Sequence, residues 1–259
     1  MGVAGQRSEP IMRAGTVPSR FELIRELALT EPWPRVLDVG CVDARPDKGA
    51  SAERIASGGT LGTHLFSYLA ERNPNVLGID RDAAGIAHLV EMGFQAEVAD
   101  AMDLDLGARR FDVILATELI EHVEDPGRLL RSLARHLAPG GKLLITTPNP
   151  HHSAQLSKIW RKGAPDVHEE HVLWFCPTTL ARLFERVGLT WVEGVWIAPR
   201  RALLRNWRRL FRPRFNPSFG AISVRRRTRR ERRGVRLRST GGRCGTSSRC
   251  LTVPRGRAR

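Results

Sequence analysis

Short apolar runs alternate with amphipathic stretches along most of this chain, and that alternation narrows its fold more than any other feature. Strands are expected at 35–39, 76–79, 96–98, 113–116, 142–146, 191–196 and 221–224, the third of them weak. Between them, helical spacing is expected over 62–72, 83–91 and 126–137, where Leu129, Leu130, Leu133 and Leu137 share one face. A later helix carries Leu180, Leu183, Phe184 and Val187 at i, i+3, i+4 and i+7, and Gly188 closes it. Strands separated by single helices pair in parallel through crossovers, which place the helices on both faces of the sheet. The expectation is an α/β protein with an open, mostly parallel seven-stranded sheet. Its last strand, 221–224, reads as incomplete because it runs at once into Arg225, Arg226 and Arg227.

Charge divides the chain in two. Of a formal net charge of +15 over 259 residues, residues 200–259 hold 21 Arg, no Lys and one acid, Glu231; they carry +20 and leave −5 for residues 1–199. A basic average ordinarily points to nucleic acid or an anionic membrane surface. Here it belongs to the tail alone. Arg, Gly, Ser and Thr without apolar periodicity cannot offset the entropy of ordering, so 225–259 is expected to be a disordered tail. Two readings account for it: a basic arm making weak, salt-dependent contacts with an anionic surface or nucleic acid, or a shifted frame in GC-rich coding sequence. Residues 1–32 read as a leader and a short helix, with Phe21, Ile24, Leu27 and Ala28 at helical spacing and Pro32 ending it. Residues 33–224 then form the domain. No apolar run is long enough to span a membrane or act as a signal peptide, so a cytoplasmic location is expected. Cys41, Cys176, Cys244 and Cys250 show no CxxC spacing, which argues against disulfides and against a zinc site.

Open parallel sheets bind ligands at the carboxyl ends of their strands, so chemistry is sought there. The first strand ends Asp38-Val39-Gly40-Cys41, a carboxylate followed by a turn that lets a ligand approach backbone closely. The second ends at Asp80, an acid placed to accept both hydroxyls of a ribose. Asp100, Ala101 and Met102 follow the third, offering an acceptor for an exocyclic amine beside apolar neighbours for a flat base. The fourth runs into Thr117, Glu118, Leu119, Ile120, Glu121 and His122.

In order, the motifs are VLDVGC, VLGIDRD, ADAMDL, FDVILATELIEHVEDP, LAPGGKLLITTPNP and HEEHVLWFCPTTLARLFERVGL. With these at successive strand ends, the chain resembles a class I S-adenosylmethionine-dependent methyltransferase, of the small-molecule group that includes the ubiquinone-type O-methyltransferases, over about residues 33–197. The resemblance implies a Rossmann-like fold and S-adenosyl-L-methionine as cofactor. It places Asp38, Gly40 and Cys41 along the methionine and ribose, with Asp38 near the amino group. Asp80 then takes the ribose hydroxyls, with Arg81 beside the adenine. Asp100 accepts from the adenine N6 amine, Ala101 and Met102 flank the ring, and Thr117 and Glu118 face the sulfonium. The implied reaction is methyl transfer to a hydroxyl, or less readily an amine, of a small molecule, sugar or lipid-linked precursor.

Such a transfer requires a positioned nucleophile and a group to take its proton, but no metal. His122 and His171 are the expected bases, since imidazole titrates near neutrality. His151, His152 and His168, and Glu118, Glu121, Glu169 and Glu170, are secondary. Two departures stand out. The usual second glycine of the first turn is lost at Gly40-Cys41-Val42-Asp43, and an insertion over 44–60 sets Asp80 about twice the usual distance of roughly 20 residues beyond the first strand. A dinucleotide oxidoreductase would need Gly-x-Gly-x-x-Gly where only Gly40 stands. A nucleic-acid methyltransferase using the tail fits poorly with an acidic body and with the absence of an Asn/Asp-Pro-Pro-Tyr/Phe motif. A non-catalytic nucleotide-binding module is the remaining alternative.

Overall fold

The computed structural model describes residues 9–42, 65–197 and 218–225. The 44–60 insertion, residues 203–211, where Leu203, Leu204, Trp207, Leu210 and Phe211 stand among arginines, and the tail after Arg225 lie outside the described residues. The strands are β1 (Met12–Val17), β2 (Val36–Val39), β3 (Val76–Asp80), β4 (Ala96–Val98), β5 (Phe111–Thr117), β6 (Leu137–Pro148), β7 (Leu189–Ile197) and β8 (Ser218–Arg225). They form one eight-stranded sheet in the order β1-β7-β8-β6-β5-β2-β3-β4. All seven expected strands are present.

The eighth, β1, comes from the segment read as leader. It pairs in parallel with β7, Met12 opposite Gly194 and Val17 opposite Ile197. Arg13 fastens it, donating to Glu193 at 2.9 and 3.1 Å and to Glu26 at 2.8 Å. As an edge strand it buries neither face fully, so the alternation that marks a strand in sequence is missing.

The final strand is complete, which corrects the sequence expectation. β8 runs antiparallel to β6, from Lys142 opposite Val224 to Pro148 opposite Ser218, and antiparallel to β7 as far as Leu189 opposite Arg225. It begins upstream of the apolar run, and Phe219 through Ser223 are all buried. Gly220 and Ser223 dilute its hydrophobic signal, and the arginine run begins where pairing ends.

β6, β5, β2, β3 and β4 are mutually parallel. From β2 the chain proceeds outward through β3 to β4, then returns to β5 on the other side of β2. The switch in direction between β2 and β5 is where such sheets open a ligand crevice.

Helices α1 (Arg20–Ala28), α2 (Leu65–Ala70) and α3 (Ala83–Glu91) supply Leu23, Ile24, Phe66, Leu69, Ile86 and Leu89 to one apolar cluster. Helices α4 (Pro126–Arg135) and α6 (Pro177–Arg186) supply Leu129, Leu130, Leu133, Leu180 and Phe184 to the other. Their starts are fixed locally: Asp82 accepts from the N–H groups of Ala84 and Gly85, and Asp125 accepts from Arg128 N–H with Pro126 at the first helical position. Between them in sequence, α5 (Ser153–Lys162) forms in a stretch where no helix is among those expected. It buries no residue, so no apolar stripe announced it.

Gly78 permits the close approach of β3 to α2 behind the strand ends. A Cβ there would stand 2.6 Å from the Phe66 ring and 2.8 Å from Cys41 Sγ. Gly78→Ala is therefore expected to destabilise the domain by about 1–3 kcal/mol through overpacking. Urea unfolding measures this, and an unchanged midpoint would contradict the packing.

Candidate functional site

The sheet order brings the ends of β5, β2, β3 and β4 side by side, and with them Thr117, Asp38, Asp80 and Asp100. Asp38 lies beside the switch, opposite Gly78 on one side and Leu115 on the other, and is only 3% exposed. Gly40 turns the chain with φ +77°. The Gly40 and Cys41 N–H groups both donate to the Ile79 carbonyl, at 2.9 and 3.1 Å. This lashes the first turn to β3 without the missing second glycine.

Asp80 is held from both directions. Its Oδ2 accepts from Val42 N–H at 3.0 Å and its Oδ1 from Asp82 N–H at 3.0 Å. A carboxylate has about four acceptor positions, so this anchoring orients Asp80 and leaves capacity for two hydroxyls. Asp100 accepts from Met102 N–H at 2.9 Å and starts a 3-10 turn, Ala101–Asp103, with Ala101 and Met102 half-buried against the core.

Cys41 faces inward. Its thiol is buried in the core among residues such as Phe66 and Val36, and its N–H is taken by Ile79. Burial pushes the thiol pKa up, keeping it protonated. Arg81 is exposed; the His122 pKa is lowered chiefly by burial, and Arg81 adds only the smallest contribution.

The acids at the edge are electrostatically frustrated. Burial raises the Asp38 carboxyl to about 7, with Asp80 adding to the rise and Arg20 opposing it. Glu118 sits in the left-handed region at φ +51°, a conformation that costs a non-glycine residue energy and that surrounding contacts must enforce. Those contacts come from Thr146: the Glu118 N–H donates to its carbonyl at 2.9 Å, and the Thr146 hydroxyl donates to Glu118 Oε1 at 2.9 Å. Burial raises the Glu118 pKa as well. Glu121, with no exposed surface, is driven to about 8 by burial and then by the Glu118 charge. Thr147 lies close enough to temper that rise, yet neither oxygen of Glu121 meets hydrogen-bond geometry with any described group.

Among the described residues, Arg20 is the cation that favours the charged forms of Asp38, Glu118 and Glu121 alike. Sequence reasoning missed it, because it begins α1 in the supposed leader and reaches the site only through the fold. Thr146 was missed too, since it reads as an ordinary residue of an apolar strand.

Both expected bases stand together. His122 ends a short 3-10 turn, Ile120–His122, and its ring lies 4.6 Å from that of His171, edge to face. The segment carrying His171 is tied down by Val172 N–H and Leu173 N–H, both donating to the Glu121 carbonyl at 2.9 and 3.2 Å. His168 adds a third ring 5.1 Å from His171, and Glu170 comes within 3.7 Å of His122 Nδ1. Burial lowers both the His122 and the His171 pKa, so the rings are neutral at physiological pH. Donor atoms of Glu121, His122 and His171 all lie within 4.8 Å of one another, an arrangement that can hold a metal ion. His151 and His152 are not in this group; His152 starts α5.

A parallel sheet with acids on its adjacent strand ends and two imidazoles together just beyond β5 suits an adenosyl cofactor and an acceptor. The chain belongs to the methyltransferase-domain family, as a class I S-adenosylmethionine-dependent methyltransferase: the family model matches residues 17–193. It is similar to the ubiquinone biosynthesis O-methyltransferase of Aeromonas salmonicida, 30% identical over 165 residues, covering 58% of this chain and 69% of that protein. Its similarity to the enzyme of that name from a Caulobacter species is 34% over 143 residues, covering 51% and 52%. The chain thus spans about half the length of several curated relatives it matches. Among solved structures, an S-adenosylmethionine-dependent methyltransferase from Mesorhizobium loti superposes with a TM-score of 0.50 at 21% identity, covering 79% of this chain and 96% of the other. The CcbJ methyltransferase from Streptomyces caelestis gives 0.51 at 15%, covering 83% and 92%. These two share the fold. No helix among the described residues is long and apolar enough to cross a membrane.

Proposed function

We propose that this chain moves the methyl group of S-adenosylmethionine to a hydroxyl, or less readily an amine, of a small molecule, sugar or lipid-linked precursor. The observation that carries this reading is the row of carboxylates at the ends of adjacent strands, with a pair of imidazoles on the turn just beyond β5. A cofactor bearing a sulfonium and an ammonium supplies the positive charge that three acids with raised pKa, Asp38, Glu118 and Glu121, call for. The relatives named as O-methyltransferases support a hydroxyl acceptor.

When bound, the cofactor supplies an activated methyl carbon for in-line displacement. The protein's part is position and proton handling. Asp38 holds the ammonium, Arg20 the methionine carboxylate, and Asp80 the ribose hydroxyls with the acceptor capacity its anchoring leaves. Asp100 accepts from the adenine amine between Ala101 and Met102. Thr117 and Glu118 border the sulfonium, Glu118 being fixed by Thr146. His122, with His171 beside it, receives the proton of the acceptor hydroxyl as it attacks.

Calorimetric titration with S-adenosylmethionine tests the cofactor half of this reading. Asp80→Ala and Asp100→Ala are each expected to weaken binding by about 1–3 kcal/mol, the cost of leaving polar ligand atoms unpaired. Unchanged affinity in both variants would remove the assignment.

A further inference from the structure

Three side chains of α4 and its C-cap lie against the segment that the cofactor reading assigns to adenine. Arg128, Ser132 and His136 recur at i, i+4 and i+8, so they share one face. Arg128 pairs with Asp103 at 3.3 Å. The Ser132 hydroxyl accepts from Leu104 N–H at 2.9 Å, and His136 Nε2 lies 3.1 Å from the Leu104 carbonyl. Nδ1 of the same ring lies 3.2 Å from the carbonyl of Arg109. We infer that Ser132 and His136 are positioning residues for the adenine seat: by holding Leu104 at both its N–H and its carbonyl, they fix the 3-10 turn that follows Asp100 and carries Ala101 and Met102.

The turn needs such a hold because it lies beyond the sheet. β4 stops at Val98, and the bond from Ala99 N–H to the Asp80 carbonyl, at 2.9 Å, follows it. After that, Asp100 accepts from Met102 N–H through its side chain and from Asp103 N–H, at 3.1 Å, through its carbonyl. Those bonds shape the turn without tying it to another element. Leu104 is buried, and buried peptide groups outside a ladder must find partners elsewhere. Ser132 and His136, themselves buried, supply them. Arg135 Nη2, 3.4 Å from the same carbonyl, adds a weaker contact. The Arg128–Asp103 pair differs in kind: both side chains are more than half exposed, so it contributes little.

Holding the turn in advance matters for recognition. A loop that becomes ordered only when its ligand arrives loses affinity to the entropy of that ordering. It also sets the Asp100 carboxylate less firmly against the N6 amine, the group that distinguishes adenine from its deaminated counterpart. Because α4 begins just beyond the turn that ends at His122, the brace of the adenine seat and the expected base belong to one continuous segment.

The inference rests on the assignment of Asp100 to the adenine amine, and the test keeps the two apart. The full-length chain and its variants are titrated calorimetrically with S-adenosylhomocysteine and with S-inosylhomocysteine, in which a carbonyl replaces the N6 amine. Wild type should prefer the adenosyl ligand about tenfold or more, because the inosyl carbonyl leaves the Asp100 carboxylate unpaired. Ser132→Ala and His136→Asn should each lose most of that preference, down to about threefold or less, while His136→Gln keeps it. Glutamine places its amide donor where Nε2 stands and asparagine where Nδ1 stands, so only glutamine reaches Leu104. Arg128→Ala should behave as the wild type does. The ratio of the two affinities decides, since a variant that merely loosens the fold weakens both ligands alike. Circular dichroism checks that each variant is folded, and His136→Asn, at the C-cap rather than inside the helix, keeps the test decisive if Ser132→Ala does not fold. An undiminished preference in Ser132→Ala and His136→Asn, or affinities that fall at constant ratio, would overturn the positioning role alone. A wild type that binds S-adenosylhomocysteine without preferring it would remove the Asp100 assignment and this inference with it. A wild type that binds neither ligand would remove the cofactor reading as a whole.

Discussion

His122→Ala is expected to lower turnover by about 100-fold or more, the low end of what a positioned general base contributes, while cofactor affinity stays within roughly 0.5 kcal/mol of wild type. The reason is geometric. His122 lies on the turn after β5, beside His171 and away from the strand ends that carry Asp80 and Asp100. Its pKa is depressed below 6.5 by burial, so the ring is in its proton-accepting form at neutral pH. Wild-type turnover should fall only as pH drops below the ordinary histidine range, and that acid limb should vanish in the variant. Steady-state kinetics across pH checks both points. Undiminished turnover in His122→Ala would return this histidine to a structural role.

Asp38→Asn should move stability and binding in opposite directions. The Asp38 pKa rises from 3.8 in the unfolded chain to about 7 in the fold, principally through burial. Such a group contributes fully to stability below its unfolded pKa, and that contribution is lost as pH climbs toward 7, because the unfolded chain ionises first. At about 1.4 kcal/mol per pH unit the loss is roughly 2–4 kcal/mol by pH 8. Asparagine does not ionise, so the cofactor-free variant should exceed wild type by that order at pH 8 and match it near pH 4. Urea unfolding at the two pH values measures the difference. S-adenosylmethionine affinity should fall about 100-fold or more, since a buried ammonium would lose its charged partner. In wild type the carboxylate must be ionised to pair. Cofactor affinity should therefore drop about tenfold for each pH unit below 7. A variant no more stable at pH 8, or binding as tightly as wild type, would contradict this account of Asp38.

What the sequence disclosed and what it hid follow from the range of the forces involved. Asp38, Asp80 and Asp100 were legible because each follows a local apolar run whose end is set by strand propensity and burial, so their positions at the ligand edge follow from counting strands. His122 and His171 were legible as types, but their meeting depends on two N–H groups of the 168–173 segment finding the Glu121 carbonyl, a contact with no sequence mark. Arg20 acts on Asp38, Glu118 and Glu121 only after β1 and α1 join the sheet. β1 itself is an edge strand with Gly15 at positive φ and no alternation. The inward turn of the Cys41 sulfur had no mark in the sequence either, since it depends on the space left beside Gly78. β8 was underestimated because a strand flanked on both sides can be built with Gly220 and Ser223 when ladder hydrogen bonds supply the cohesion.

The central claim is that one adenosyl cofactor lies across the carboxyl ends of β2, β3 and β4. A crystal structure of the full-length chain with S-adenosylhomocysteine tests it most directly. Expected are ribose hydroxyls on the Asp80 carboxylate, the adenine amine at Asp100 with Met102 against the ring, and the amino group at Asp38. Ligand density at another edge of the sheet, or Asp80 and Asp100 turned away from a common ligand, would contradict it.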